Sequence, residues 1–259
     1  GIAGDQRAAL FGQACLRPGM SKNTYGTGSF VLTNVGNDAP DPGEGLLATI
    51  AWRAAGTTTY ALEGSIFVTG AALRWLVSAG VIDAPEQAGA LFDSVGDAAG
   101  CHFVPALAGL GAPWWDPDAR GAFVGLSGRV TRPHLVRAVV EAMAFRTRDV
   151  VEAMERASGI AFHELRVDGG ASQMDGLCQF QADVLGIPVA RAATAEATAV
   201  GAAMLAAVGE GLVDGTEAVA SSWSPGRRFE PATPGARPQQ PYEDWLAALK
   251  RVRTRASHV

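Results

Sequence analysis

Lysine is nearly absent from this chain: Lys22 and Lys250 are the only two in 259 residues, and neither follows a glycine. That excludes a Walker A phosphate loop, in which a glycine-rich turn and its lysine act together on a nucleotide. No GxGxxG run occurs, so the dinucleotide fingerprint of an all-parallel Rossmann sheet is missing too. Cysteine is scarce: Cys15, Cys101 and Cys178 are odd in number, far apart and without a CxxC pair. This argues against a disulfide framework or a zinc site, and for buried thiols in a reducing compartment, the cytoplasm. His102, His134, His163 and His258 stand singly, so no metal-ligating set and no His-based triad is assigned. A net charge of -5 offers nothing to draw the chain to nucleic acid. The longest uncharged Ala/Val-rich stretch, Ala197 to Val208, is too short to cross a bilayer, and Arg74 interrupts the apolar segment from Phe67 to Ile82. No membrane partner and no targeting segment is read from it.

What is present suffices for a full core, since 48% of the residues are hydrophobic. Asp5 heads a short helix, at or near its N-cap. Three β-like runs follow, Tyr25 to Thr33, Leu46 to Arg53 and Thr57 to Leu62, with Gly56 turning the second into the third as in an antiparallel meander. Helical pattern resumes from Ile66 to Ala79. Thr131 and Pro133 open a long helix that ends at Gly159, and a strand over Glu164 to Asp168 runs into Gly169-Gly170. A helix from Gln173 to Leu185, a short strand at Ile187 to Ala190 and an Ala-rich helix from Ala197 to Ala207 come next. Residues 224–241 carry five prolines and are expected to form a loop, with a terminal amphipathic helix over 242–255. This order predicts an α/β domain: a mixed sheet, antiparallel meander plus parallel strands, covered by helices, as in ribonuclease-H-like and actin-like ATPase domains.

Two features suit phosphate chemistry, and each has a plainer alternative. Asp5 is either a helix cap or a general base. Gly26-Thr27-Gly28 is either a strand-edge turn or a phosphate clamp that uses main-chain N–H groups and a Thr hydroxyl. A third glycine turn, Asp168-Gly169-Gly170-Ala171, joins strand to helix, where free N–H groups attract an anion and bare glycines let a flat base approach. Trp114-Trp115, in the Gly/Pro-rich loop Gly109 to Arg120, reads as a packing anchor.

Longer segments carry a family resemblance. Gly1 to Gln13 (GIAGDQRAALFGQ), Lys22 to Phe30 (KNTYGTGSF), Tyr60 to Gly64 (YALEG) and Gly109 to Leu126 resemble the glycerol kinases among the FGGY carbohydrate kinases. Gly121, Phe123, Gly125, Leu126, His134, Leu135 and Ala138 to Glu141 fit that family's longer signature. The resemblance covers the whole chain, 1–259, and corresponds to the C-terminal domain of an actin-like two-domain enzyme. Because the chain opens on Gly1, just before Asp5, the N-terminal kinase domain is expected to be missing and the fragment alone to be inactive.

The resemblance implies an ATP-dependent phosphotransferase with Mg²⁺, transferring phosphate to glycerol. Asp5 then matches the catalytic base, and Gln6 and Phe30 the positions that contact the polyol. Gly26, Thr27 and Gly28 match the phosphate turn, while Gly70, Gly169, Gly170 and Ala171 match positions lining the nucleotide. Arg74 and Met174 depart from the family's usual Gln and Asn near the adenine, where they offer stacking and apolar contact. The resemblance also implies a homo-oligomeric full-length enzyme. GDQ and NTYGTG point to glycerol over xylulose or ribulose. A kinase for another small polyol or ketose, or a nucleotide-binding module without catalysis, are the alternatives.

Overall fold

The computed structural model describes residues 3–254 apart from 44, 55, 195 and 214. Gly1 and Ile2 of the first family segment, His258, and Arg255 at the expected end of the last helix lie outside the described residues. Helix α1 (Asp5–Gly12) precedes the hairpin of β1 (Ser21–Tyr25) with β2 (Ser29–Gly36) and that of β3 (Leu47–Ala54) with β4 (Thr57–Ile66). Helices α2 (Gly70–Ser78) and α3 (Gln87–Asp93), the short strands β5 (His102–Val104) and β6 (Ala122–Val124), and α4 (Arg132–Ser158) follow. Then come β7 (Leu165–Gly169), a 3-10 turn (Gly170–Gln173), α5 (Asp175–Leu185), β8 (Val189–Ala192), α6 (Ala197–Gly209), α7 (Gly215–Ser222), β9 (Pro225–Phe229) and α8 (Gln240–Val252).

One seven-stranded sheet, ordered β3-β4-β2-β1-β7-β8-β9, forms the body. The strands from β3 to β1 pair antiparallel, and β1, β7 and β8 run parallel, giving the mixed sheet expected. The meander itself is corrected. The run from Tyr25 to Thr33 is not one strand, because Gly26-Thr27-Gly28 breaks it into the β1–β2 hairpin. β4, not β3, lies beside β2, so the meander is β1-β2-β4, with β3 added at the edge as the hairpin partner of β4. Ile66 belongs to β4, so α2 starts only at Gly70. Within the Pro-rich 224–241 segment, Pro225–Phe229 is strand β9, antiparallel to β8, and α8 begins at Gln240. Proline suits an edge strand of this kind, because the N–H it lacks is not needed on the open side.

Strand β1 is the element that hydrophobic patterning could not reveal. Ser21, Lys22 and Asn23 are all polar and all buried. Each finds a side-chain partner: Ser21 Oγ donates to Thr33 Oγ1 at 2.9 Å and Asn23 Nδ2 to Thr147 Oγ1 at 3.1 Å, while Lys22 Nζ donates to Gln6 Oε1 and to Thr24 Oγ1, the latter at 2.9 Å. Successive side chains of a strand point to opposite faces, so these contacts sort the layers. Asn23 and Tyr25 meet α4 and α5, Tyr25 through its hydroxyl to Gln181 Oε1 at 2.8 Å. Lys22 and Thr24 face the side covered by α1. Burial pushes the Lys22 ammonium down to about 8, against the opposing pull of Asp168, Glu63, Cys15 and Asp5.

The long helix α4 begins with Pro133 in its first turn and a Thr131–His134 capping box, and ends on Gly159 in the left-handed region at φ 68°. It carries the main core, including Val136, Val139, Met143, Val150 and Met154. Trp114 donates to Asp149 Oδ2 at 2.9 Å and Trp115 to Gly45 O at 2.8 Å, which makes the pair the loop anchors that the sequence suggests.

Helix α1 has only eight residues, too few to hold itself together in water. It is held by α6, whose backbone it touches. A Cβ placed on Gly201 would lie 1.7 Å from Ala8 O, and one on Gly12 would lie 2.1 Å from Ala197 O. The two glycines let the helices approach to a distance no side chain allows.

Two outcomes follow from these contacts. Gly201→Ala is expected to destabilise the domain by about 3 kcal/mol, read as a lower urea midpoint. Gly209→Ala in the same helix, where a Cβ meets nothing within 4 Å, leaves the midpoint unchanged or raises it. For Lys22, the folded chain releases the ammonium proton near pH 8 whereas an unfolded lysine keeps it to about 10.5. Folding therefore releases a proton in that window, and stability relative to Lys22→Met climbs as pH rises from 8 to 10.5 and is flat below 8. Denaturation of both proteins at pH 7, 8.5 and 10 measures the difference; a constant difference contradicts it.

Candidate functional site

Asp5 is the first residue of α1, not its cap, which is Gly4. Its exposed carboxylate takes two bonds from its neighbour: Oδ1 accepts the Gln6 N–H at 2.8 Å and Oδ2 accepts Gln6 Nε2 at 3.3 Å. The side chain of Gln6 turns inward, where Oε1 accepts the Lys22 ammonium. Lys22 also bonds Thr24, which sits in register with Asp168 on β7, so the two side chains share one sheet face. Burial raises the pKa of Asp168, countered by the Thr24 hydroxyl and by the Lys22 charge, and Oδ1 of this carboxylate is buried without a hydrogen bond. A polar chain thus runs Asp5, Gln6, Lys22, Thr24 beneath α1, with Asp168 beside its end. Sequence reading assigns no role to Lys22 or Thr24. The signal available was the rarity of lysine and its place in a polar segment between two apolar ones.

Phe30 pairs with Thr24 across the hairpin, so its half-buried ring lies on the same sheet face. It packs on the cluster that includes Leu10 and Phe11 of α1. Gln6, which meets Lys22, and Phe30, which pairs with Thr24, therefore lie on one face of the sheet.

The Gly26-Thr27-Gly28 turn closes the hairpin directly beyond Tyr25. A Cβ on Gly28 would stand 2.2 Å from Ile66 O and one on Gly70 would stand 2.6 Å from Gly26 O, so the turn is wedged between the end of β4 and the start of α2. Three bonds seal it there: Thr69 N–H and Ala71 N–H both donate to Thr27 O at 3.0 Å, and Gly70 N–H donates to Gly26 O at 3.0 Å. The turn carbonyls thereby satisfy the first N–H groups of α2. Thr27 itself is exposed, and among the described residues neither its N–H nor that of Gly28 is donated within the protein. Arg74, one turn into α2, is exposed and has no ion pair among the described residues; its guanidinium lies 3.9 Å from where a Gly70 Cβ would be.

The second glycine turn follows β7. Gly169 has φ 86°, and a Cβ there would be 2.3 Å from Tyr25 O, so it is required by the close approach of β1. Gly170 is different: it is exposed and a Cβ on it would meet nothing within 4 Å, which leaves open space in front of the backbone. Ala171 is buried under the 3-10 turn. Met174 caps α5 and packs half-buried on the main core beside α3, where a Cβ on Gly89 would come within 3.6 Å of its Cγ.

Tyr25 and Gly169 are the last register pair of two adjacent parallel strands. The two glycine turns therefore emerge side by side at the carboxyl ends of β1 and β7, where open α/β sheets bind their ligands. Two undonated N–H groups, a Thr hydroxyl, an unpaired guanidinium and an uncovered glycine suit an anionic group followed by a flat one. Among the described residues no three His, Cys, Asp or Glu side chains gather as a metal cage. Asp5 is an exposed carboxylate, which suits a cation of the Mg²⁺ kind, held by one or two carboxylates and otherwise by substrate phosphates. Among the described residues no helix is long and apolar enough to cross a membrane.

Known proteins match this chain in sequence and in fold. Residues 21–210 match the model of the FGGY family of carbohydrate kinases, C-terminal domain. The chain is 52% identical over 252 residues to a glycerol kinase of Citrifermentans bemidjiense, covering 96% of this chain and 50% of that protein. It is 51% identical to glycerol kinase 2 of Thermotoga maritima, with 97% and 51% covered. Among solved structures, Plasmodium falciparum glycerol kinase with ADP superposes with a TM-score of 0.91 at 33% identity, over 98% of this chain and 51% of that one. The chain spans about half the length of the curated relatives it matches. With its mixed sheet, its paired glycine turns and these matches, the chain belongs to the FGGY family of carbohydrate kinases, in the region of their C-terminal domain.

Proposed function

We propose that this chain is the C-terminal half of an ATP-dependent glycerol kinase. The observation that carries the reading is the pair of glycine turns, Gly26-Thr27-Gly28 and Gly169-Gly170, side by side at the carboxyl ends of β1 and β7, the first on a strand that Lys22 ties to Gln6 and so to Asp5. Relatives named glycerol kinase at about half identity support glycerol over another polyol or ketose. The Plasmodium falciparum structure, solved with ADP, supports a nucleotide as the second ligand.

In this reading Asp5 takes the proton of the attacking glycerol hydroxyl. Its carboxylate is exposed and already aimed by Gln6, and a positioned base of this kind contributes about 10²- to 10⁴-fold. Gln6 bonds a polyol hydroxyl and Phe30 packs on the carbon skeleton. The Thr27 hydroxyl and the N–H groups of Thr27 and Gly28 hold phosphate oxygens, with Gly26 and Gly70 shaping the turn and Arg74 adding a positive charge. The nucleoside lies over Gly170, bordered by Gly169, Ala171 and Met174. ATP would supply the phosphoryl group, and Mg²⁺, held mostly by the phosphates, would neutralise their charge, with Asp5 as a carboxylate this chain could offer it. Most of the protein's work is positioning.

The remaining half of the site is assigned to an N-terminal domain of the same enzyme, which closes over the substrates and excludes water. Buried free thiols at Cys15, Cys101 and Cys178 support a cytoplasmic setting, and family resemblance supports a homo-oligomer.

Asp5→Asn in the full-length enzyme is expected to lower kcat about a thousandfold while ATP affinity by calorimetry stays within about twofold. Unchanged turnover would return Asp5 to a purely helical role. The 259-residue chain alone is expected to bind nucleotide weakly and to release no ADP in the presence of glycerol. Sustained glycerol-dependent ADP release by it would contradict the half-site reading.

A further inference from the structure

We propose that Lys22 is a positioning residue, whose buried ammonium sets which way the Gln6 amide faces and, through that amide, aims the carboxylate of Asp5. The inference rests on the kinase reading for its consequence, but its geometry belongs to this chain alone.

An amide side chain can present its oxygen or its nitrogen to a neighbour, and the two ends have opposite polarity. A lysine ammonium has three donors and no acceptor, so Gln6 must turn Oε1 toward Lys22. Its Nε2 is then forced outward onto Asp5 Oδ2. In the reverse orientation the amide nitrogen would face the ammonium and the amide oxygen would face a carboxylate, two repulsive contacts. The choice leaves Gln6 with one N–H on Asp5 and a second to offer a substrate hydroxyl. Lys22 therefore decides that Gln6 meets the polyol as a donor.

The ammonium is itself held firmly. β1 is laddered on both sides, by β2 and by β7, so the Lys22 backbone has no freedom to drift. Its second bond goes to Thr24, the register neighbour of Asp168. Burying a charge in this way costs stability, and neither of its two hydrogen-bond partners is ionised. Glu63 on β4, Asp168 on β7 and Asp5 and Cys15 around α1 face it, with Arg166 as its register neighbour on β7. An apolar side chain would fill the slot at lower cost, but would leave the Gln6 amide free to turn.

A double-mutant cycle in the full-length enzyme tests the inference, with nitrogen-15 NMR of the Gln6 side-chain amide in the same proteins. Lys22→Met and Gln6→Leu are each expected to lower kcat/KM for glycerol about 30-fold, with KM for ATP changed less than about threefold. The double variant falls no more than about threefold below the worse single one, because Lys22 acts through Gln6. Independent roles would multiply to about a thousandfold and overturn the proposal. Lys22→Met is expected to shift the Gln6 amide resonance, and in the unmutated protein the same resonance titrates near pH 8 as the ammonium is lost. This second measurement needs no variant to fold. If the unmutated enzyme fails to phosphorylate glycerol, the kinase reading falls, and the amide resonance still decides the role of Lys22: an amide indifferent to both the substitution and the titration overturns it.

Discussion

The parallel pairing of β1 with β7 is the contact on which the rest of this molecule depends. It joins an antiparallel half of the sheet to a parallel half, and it brings the two glycine turns to one edge. The approach is so close at the top of the pair that Gly169 has room for no side chain against Tyr25 O. Both glycine turns hang from those two strands, one from β1 and one from β7, and the polar chain from Asp5 through Gln6 and Lys22 to Thr24 ends on the first of them. A second buried network supports the opposite face, where Arg146 meets Asp149 at 2.5 Å and Ala112 O at 2.6 Å, and Tyr242 OH donates to Asp149. It binds α4, the Trp114 loop and α8 into one body behind the sheet.

Much of the frame was legible in the sequence because its signals are local. Pro133 and Gly159 bracket α4, and Gly169-Gly170 ends a strand, for reasons contained within a few residues. The elements that escaped are those whose reasons are distant. β1 reads as polar and is buried, since its side chains find partners in Thr33, Thr147 and Gln6. β9 hides in a proline-rich stretch because it is an edge strand and needs one row of bonds only. The expected order of the meander failed in the same way: hairpin proximity joins β3 to β4, yet the sheet places β4 against β2.

At the candidate site, the motif residues were recognisable as types but not as an arrangement. Asp5 and Gly26-Thr27-Gly28 each have a common structural explanation, and the structure gives both explanations some force: the turn does close a hairpin, and Asp5 does take the Gln6 N–H. What distinguishes them is what is left over. Thr27 and Gly28 keep undonated N–H groups, and Gly170 stands open where Gly169 is crowded. A sequence shows two glycines in a row; only the fold separates the one needed by the backbone from the one that leaves room for a ligand.

The glycine contact between α1 and α6 has a mechanical meaning. Two helices whose main chains touch cannot slide or tilt against one another without breaking van der Waals contact along the seam. Asp5 is thus welded to the Ala-rich helix behind it and, through Lys22, to the centre of the sheet. It has no hinge of its own. Whatever approaches this carboxylate has to come to it, because the seam between the two helices holds it as a fixed reference point.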